Sequence, residues 1–193
     1  MQYRITNILD LLEITGEDEL KLILSDFSCI QNKEIENFLH NNAIEFAKRK
    51  MSITYLVFDE EGQIAAYFTL THKSSAVRGE LLSRTAQKKL SMHARYDTVV
   101  RAYSVSAFLI AQFGKNSAYK NAECIRGNML MDMALTVLKG VQKQIGGGVV
   151  FLECENRPKL LEFYQNDHNN FKIYGERFSG SDGITYLQML KFL

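Results

Sequence analysis

With 193 residues, 46% of them hydrophobic and 23% charged, the chain is long enough to bury one sizeable core and too apolar to stay disordered. Its formal net charge of +1 argues neither for nucleic acid nor for a membrane surface. Cys29, Cys124 and Cys154 are widely spaced with no CxxC pair, and His40, His72, His93 and His168 show no metal-ligand spacing, which excludes a disulfide framework, a zinc ribbon and any expected metal.

At the amino end, MQYRITNILDLLEITGEDEL carries acids inside its apolar run and has no small-residue cleavage site, so it does not read as a secretory signal. Residues 1–26 are read as an N-terminal helical extension, with a short helix over 17–25. Between 33 and about 48, Ile35, Phe38, Leu39, Ala43 and Phe46 recur at helical spacing. SITYLVF (52–58) and QIAAYFTLT (63–71) are β-rich runs joined by DEEG, a hairpin signal. Both carry apolar side chains on both faces, as strands inside a doubly covered sheet do. The stretch 74–100 is polar, basic and partly helical, and reads as an insert before the next strand.

RAYSVSAFLIAQF (101–113) is the longest strand, followed by a loop over 116–127 and a helix over 128–144. That helix places Leu130, Met133, Ala134, Val137, Leu138 and Val141 on one face. GGGVVFLEC (146–154) is a buried strand after a glycine stop, and RPKLLEFYQ (157–165) is a short helix with Pro158 in its first turn. FKIYGER (171–177) and ITYLQMLKFL (184–193) close the chain as strands. No apolar run is long enough to span a bilayer, and no linker or repeat marks a boundary. The expectation is one domain over 1–193, cytoplasmic, of class α/β (α+β), with helices on both faces of a single sheet.

This order, with several local residues, resembles the GNAT acetyltransferase superfamily. There a long fourth strand feeds a phosphate-binding loop and a helix, then a fifth strand and a short helix ending in Phe-Tyr. The matching parts here are 101–113, 116–127, 128–144, 148–153 and Phe163-Tyr164. The front half, with Phe27-Ser28-Cys29, Thr54-Tyr55-Leu56-Val57 and Ala66-Tyr67-Phe68, resembles the GNAT subgroup found as toxins in toxin–antitoxin pairs. The resemblance spans about residues 27 to 193 and implies a mixed, mostly antiparallel sheet. The chain departs from the family pattern in three places. Gln112-Phe113-Gly114-Lys115 stands where the family has Arg-Leu-Ala-Val. Only Gly127 falls on a consensus glycine of the loop, with Ile125 and Ala122 replacing other consensus residues. QNDHNNF after Tyr164 is longer than the family's segment and lacks its glycine.

The resemblance implies acetyl-CoA as cosubstrate, transfer of its acetyl group to a primary amine, and no metal. The pyrophosphate then falls to backbone N–H groups of Ile125, Arg126, Gly127, Asn128 and Met129, at a strand-to-helix turn whose free donors and dipole favour anions. With one glycine, the loop has to close through φ/ψ values open to other residues. Phe113, Gly114 and Lys115 are the place for an N–H that stabilises the carbonyl oxygen, and Gly114 suits a ligand approaching the backbone closely. Tyr164 takes the role of acid toward the leaving thiolate, a sensible pairing because phenol and thiol differ by about two pKa units. No general base stands out; Glu153, Gln112 and a water chain are candidates. Cys154 reads as a buried thiol, since no histidine is placed near it in sequence.

Between Lys73 and Arg101 seven cations face two acids, Glu80 and Asp97. The resemblance sets this 73–101 segment beside the acceptor, where it would steer a polyanion such as the acceptor end of aminoacyl-tRNA; the same excess fits a solvated face. A homodimer is the family's common state. The alternatives are a catalytically weakened acyl-CoA-binding module and a nucleic-acid-binding module built on the basic segment.

Overall fold

The computed structural model describes residues 2–181 and 183–193. The chain packs as two compact units, residues 1–71 with 110–134 and residues 72–109 with 135–193. Strands β3 (Ile64–Arg78) and β5 (Ala102–Lys115) run through both.

In the first unit the chain starts with a strand that the sequence reading missed. β1 (Arg4–Asn7) pairs antiparallel with β2 (Ile53–Phe58), Ile5 opposite Val57 and Asn7 opposite Tyr55. Asn7 then turns the chain into α1 (Ile8–Thr15), its side chain accepting from the Leu9 amide at 2.9 Å. Gly16, at φ 78°, ends α1, and α2 (Glu17–Ser25) follows with three acids in its first turn, where the helix dipole favours them. The helix expected over 33–48 is two: α3 (Lys33–Asn41), capped by Asn32, and α4 (Ala43–Lys48). Asn42 leaves helical geometry at φ −121° between them. Its amide still donates to Phe38 and its carbonyl still accepts from Phe46, both at 2.9 Å, so the apolar period survives the break.

The β2–β3 hairpin forms as its turn chemistry dictates. The Asp59 carboxylate accepts from the amides of Glu61 at 3.0 Å and Gln63 at 2.8 Å, while Gly62 supplies φ 79°. Residues Ile64–Leu70 are buried on both faces. The one polar cross-strand pair there, Thr54 opposite Thr69, is fully buried and satisfies itself hydroxyl to hydroxyl at 2.8 Å. Phe27 packs edge-on against Tyr67 at 5.0 Å, and the Tyr67 phenol donates to the Ile35 carbonyl at 2.5 Å.

In the second unit the segment 74–100 is more ordered than its composition suggested. β3 continues to Arg78, a 3₁₀ turn spans Gly79–Leu81, α5 (Arg84–Leu90) is capped by Ser83, and β4 (Arg95–Asp97) pairs with β5. The reason is burial: Val77, Leu82 and Leu90 belong to the same core as Val105, Val149 and Leu190. α6 (Gly127–Ile145), β6 (Val149–Glu155), α7 (Pro158–Gln165), β7 (Lys172–Ser179) and β8 (Ile184–Phe192) lie where the sequence placed them, within a few residues. The sheet order is β1-β2-β3-β5-β6-β8-β7, with β4 beside β5. β6–β8 and β7–β8 are antiparallel, and β5–β6 is parallel over Phe108–Val150 and Leu109–Phe151. The sheet is mixed and mostly antiparallel, as expected.

Three glycines, Gly146, Gly147 and Gly148, separate α6 from β6, and the first two take positive φ. Gly146 sits at φ 80° in open space; Gly147 sits at φ 101° with Phe108 Cε2 only 2.9 Å from where a Cβ would lie. Gly147→Ala therefore combines strain with overpacking and should cost about 2–4 kcal/mol in urea unfolding, against about 1 kcal/mol for Gly146→Ala.

Candidate active site

The loop between β5 and α6 is built from its first residue. Asn116 is 4% exposed, and its side chain bonds four backbone groups. Its oxygen accepts from Ser28 N at 2.9 Å and Ala118 N at 3.0 Å; its nitrogen donates to Asp26 O at 3.1 Å and Ile64 O at 2.8 Å. Its own amide donates to Ala65 O at 2.9 Å, and Ser117 N donates to Ser28 O at 2.7 Å. Farther along, Lys115 Nζ donates to the carbonyls of Ala122 at 3.3 Å and Ile125 at 3.2 Å. Tyr119 is buried, its phenol hydrogen-bonded to Asp59, Asn121 and Tyr3. Ile125 is fully buried, whereas Arg126 is exposed and Gly127 and Asn128 are half-buried.

No residue from Asn116 to Met129 has a positive φ; the positive-φ residues among those described all lie elsewhere. This loop closes in space open to every L-residue, so its backbone does not require further glycines. At its end the amides of Gly127 and Met129, in the first turn of α6, have no acceptor within the helix. The buried face of α6 is Leu130, Met131, Ala134, Leu135 and Leu138, which shifts the expected stripe by bringing in Met131 and Leu135.

Phe113 is half-buried and Lys115 exposed at the end of β5. Gly114 between them is buried, and a Cβ on it would lie 2.7 Å from Ile35 Cγ2 and 3.7 Å from Phe27 Cζ. The space over this glycine is thus filled by the protein's own α3. Gln112 lines an open groove of about 420 Å³ with Glu34, Asn37, Phe38, Asn42 and Phe46.

The second unit holds the remaining candidates. Tyr164, at the end of α7, is buried between Phe163 and Phe171, with ring centroids 4.9 and 6.0 Å away. Burial, then the nearby Cys154, raises its pKa, so the phenol is neutral at physiological pH. Burial also pushes the Cys154 thiol up to about 11, and its Sγ lies 3.7 Å from Met189 Sδ, which fits the inert thiol the sequence suggested. Burial alone would raise Glu153, but Arg177 at 2.7 Å, Gln188 at 2.9 Å and Lys73 at 3.7 Å outweigh it and hold the carboxylate below its usual range. A carboxylate so engaged is a weak proton acceptor. Of the seven cations between 73 and 101, Lys73 serves this cluster while the other six are exposed. The same segment exposes Met92, Val99 and Val100. No metal-holding group of His, Cys, Asp or Glu occurs among the described residues, and no helix there is long and apolar enough to cross a membrane.

No protein-family model matches the sequence, and no curated protein matches it. Solved structures do share its fold. AtaT complexed with acetyl-methionyl-tRNAfMet aligns with a TM-score of 0.64 at 17% identity, over 96% of this chain and 94% of that one. A tyrosine-to-phenylalanine mutant of KacT gives 0.63 at 17%, over 97% and 95%. AtaTR bound with AcCoA gives 0.56 at 14%, over 96% and 92%. The chain shares its fold, the GNAT fold, with AtaT and KacT.

Packing over Gly114 is directly testable. Gly114→Ala should lose about 1–3 kcal/mol in denaturant unfolding, and Ile35→Ala made on top should recover part of that loss. A merely additive double mutant would mean that Ile35 is not what fills the space. The buried phenols give a pH test. Tyr67, Tyr119 and Tyr164 are all raised chiefly by burial. Their contribution to stability is therefore full below the unfolded phenol value of about 10 and is lost as pH rises past it. Melting temperature should fall between about pH 9.5 and 11, and less steeply in Tyr67→Phe.

Proposed function

We propose that the chain is an acetyl-CoA-dependent N-acetyltransferase acting on a primary amine, with the amino group of an aminoacyl-tRNA as the acceptor class. What carries the reading is the loop before α6: it is braced at Asn116 and at the Ala122 and Ile125 carbonyls, and it opens into the first turn of α6, where the amides of Gly127 and Met129 precede the first possible acceptor of their own helix. An anion is the natural occupant of such a turn. The fold supports it, being shared with AtaT complexed with acetyl-methionyl-tRNAfMet and with AtaTR bound with AcCoA.

In this reading the amides of Ile125–Met129 hold the pyrophosphate, and an N–H of Phe113–Lys115 stabilises the carbonyl oxygen as it gains charge. The amine nitrogen attacks the thioester carbon, the carbon–sulfur bond breaks, and the thiolate takes a proton from the Tyr164 phenol. The excess proton on the amine leaves through water, because Glu153 is committed to Arg177, Gln188 and Lys73, and water returns a proton to the Tyr164 phenolate. The exposed cations of 78–101 supply the attraction for the tRNA phosphates, and a homodimer is the expected assembly.

One observation favours a second reading. Tyr164 is 8% exposed with a raised pKa, a costly starting point for giving up a proton, and a chain that binds acyl-CoA without turnover would show the same burial.

Thiol release on mixing the protein with acetyl-CoA and charged tRNA separates the two. Turnover is expected, weakening steeply with salt, and Tyr164→Phe should lower kcat at least about 100-fold with the KM for acetyl-CoA unchanged. Acetyl-CoA raising the melting temperature without thiol release would support the binding module. Neither stabilisation nor release would remove both readings.

A further inference from the structure

We propose that Tyr119 is a positioning residue for the pyrophosphate loop, tying its middle to the rigid β2–β3 turn and so setting the affinity for the nucleotide end of acetyl-CoA. The inference rests on the functional reading above and names the part of the chain that regulates its cofactor affinity.

The loop has three stretches, each held differently. At its start, Asn116 fixes the backbone through four side-chain bonds. Near its end, Lys115 holds the carbonyls of Ala122 and Ile125, and the Ile125 side chain is fully buried. Ser117 still belongs to the start, its amide donating to Ser28 O at 2.7 Å and its hydroxyl accepting from Ile30 N at 3.2 Å; beyond it the backbone bonds are short-range turns, Tyr119 N to Asn116 O at 3.4 Å, Ala122 N to Tyr119 O at 3.2 Å and Cys124 N to Asn121 O at 2.9 Å. Such turns fix local shape without tying the middle of the loop to another element.

Tyr119 supplies the missing anchor. The residue is 4% exposed, and its phenol hydrogen-bonds Asp59, a carboxylate already held by the amides of Glu61 at 3.0 Å and Gln63 at 2.8 Å. Asn121 joins the same phenol from within the loop, and Tyr3 joins it from the segment before β1. Asp59 and Tyr3 also line an open groove of about 600 Å³, so the network reaches the surface through Tyr3. A loop with no positive φ and one glycine cannot rely on backbone permissiveness to mould itself around a phosphate. Its amides have to be in place beforehand, and an anchored middle removes the ordering cost that binding would otherwise meet.

The test is Tyr119→Phe, which removes one hydroxyl and keeps the ring. Its KM for acetyl-CoA should rise about five- to tenfold, the equivalent of one hydrogen bond, with kcat at saturation within twofold. The KM for acetyl-pantetheine, which lacks the pyrophosphate, should stay unchanged. An equal rise for both donors would mean a general structural effect and overturn the positioning role, as would an unchanged acetyl-CoA KM. If the variant fails to fold, Tyr3→Phe carries the same comparison with an expected two- to threefold rise; no rise there overturns the proposal. Wild-type protein that neither binds nor turns over acetyl-CoA overturns the functional reading and this role with it. Wild-type protein that binds, beside a Tyr119→Phe that binds as tightly, overturns this role alone.

Discussion

The first unit depends on one buried carboxamide. A side-chain amide has two acceptor sites and two donor hydrogens, and Asn116 has a backbone partner for all four. Those partners lie at the end of α2, in the Phe27–Ser28 segment, at the start of β3 and in the loop itself. Removing the amide would strand backbone groups at sites 90, 88 and 52 residues away in sequence, at about 1–3 kcal/mol for each one left buried without a partner. The strand end, the helical layer and the loop are therefore located by the same group. The loop's geometry follows from the core, and the ligand has no need to create it.

What was legible in the sequence was whatever rested on periodicity or on a strong local signal. The apolar runs of β2, β5 and β6, the DEEG turn, Pro158 at the first turn of α7 and the stripe of α6 all declared themselves. Other features were set by tertiary context. β1 is only four residues long and becomes α1 at an asparagine that reads equally well as part of a helix. HKSSAVR looks like a polar loop, yet it extends β3, with burial alternating through half-buried Lys73 and Ser75 to the buried Val77. Asn116 in GKNSAY looks like turn chemistry, and nothing in the sequence says that its amide meets Asp26 and Ile64. A buried polar hub is invisible until the elements it joins have been brought together.

Gly114 teaches a related lesson. A glycine at a strand end beside a suspected site suggests room for a ligand, but steric room is a property of the neighbours. Here Ile35, on a helix roughly eighty residues earlier in the chain, fills the space. The same holds for Glu153, which the sequence offers as a free carboxylate and the structure gives to two cations and an amide. Both residues keep their places near the end of a strand; what changed is the availability of the group. Composition and spacing give identity and position, whereas reactivity is decided by partners from distant segments.

A phosphate-site loop with a single glycine is a more ordered loop. Glycine loses more conformational entropy on folding than any other residue, so a glycine-rich cradle is adaptable yet costly to hold in one shape. A residue such as Ile125, where a glycine could stand, narrows the conformations open to the unfolded loop and adds a side chain that is buried. This is compatible with phosphate binding on one condition: the required backbone must lie at negative φ throughout, as it does from Asn116 to Met129. The cost moves from entropy to specification. An adaptable loop can be shaped by its ligand, but a stiff one is useful only where its neighbours hold it in the right place. Asn116, Lys115 and Tyr119 are the residues through which this chain meets that demand.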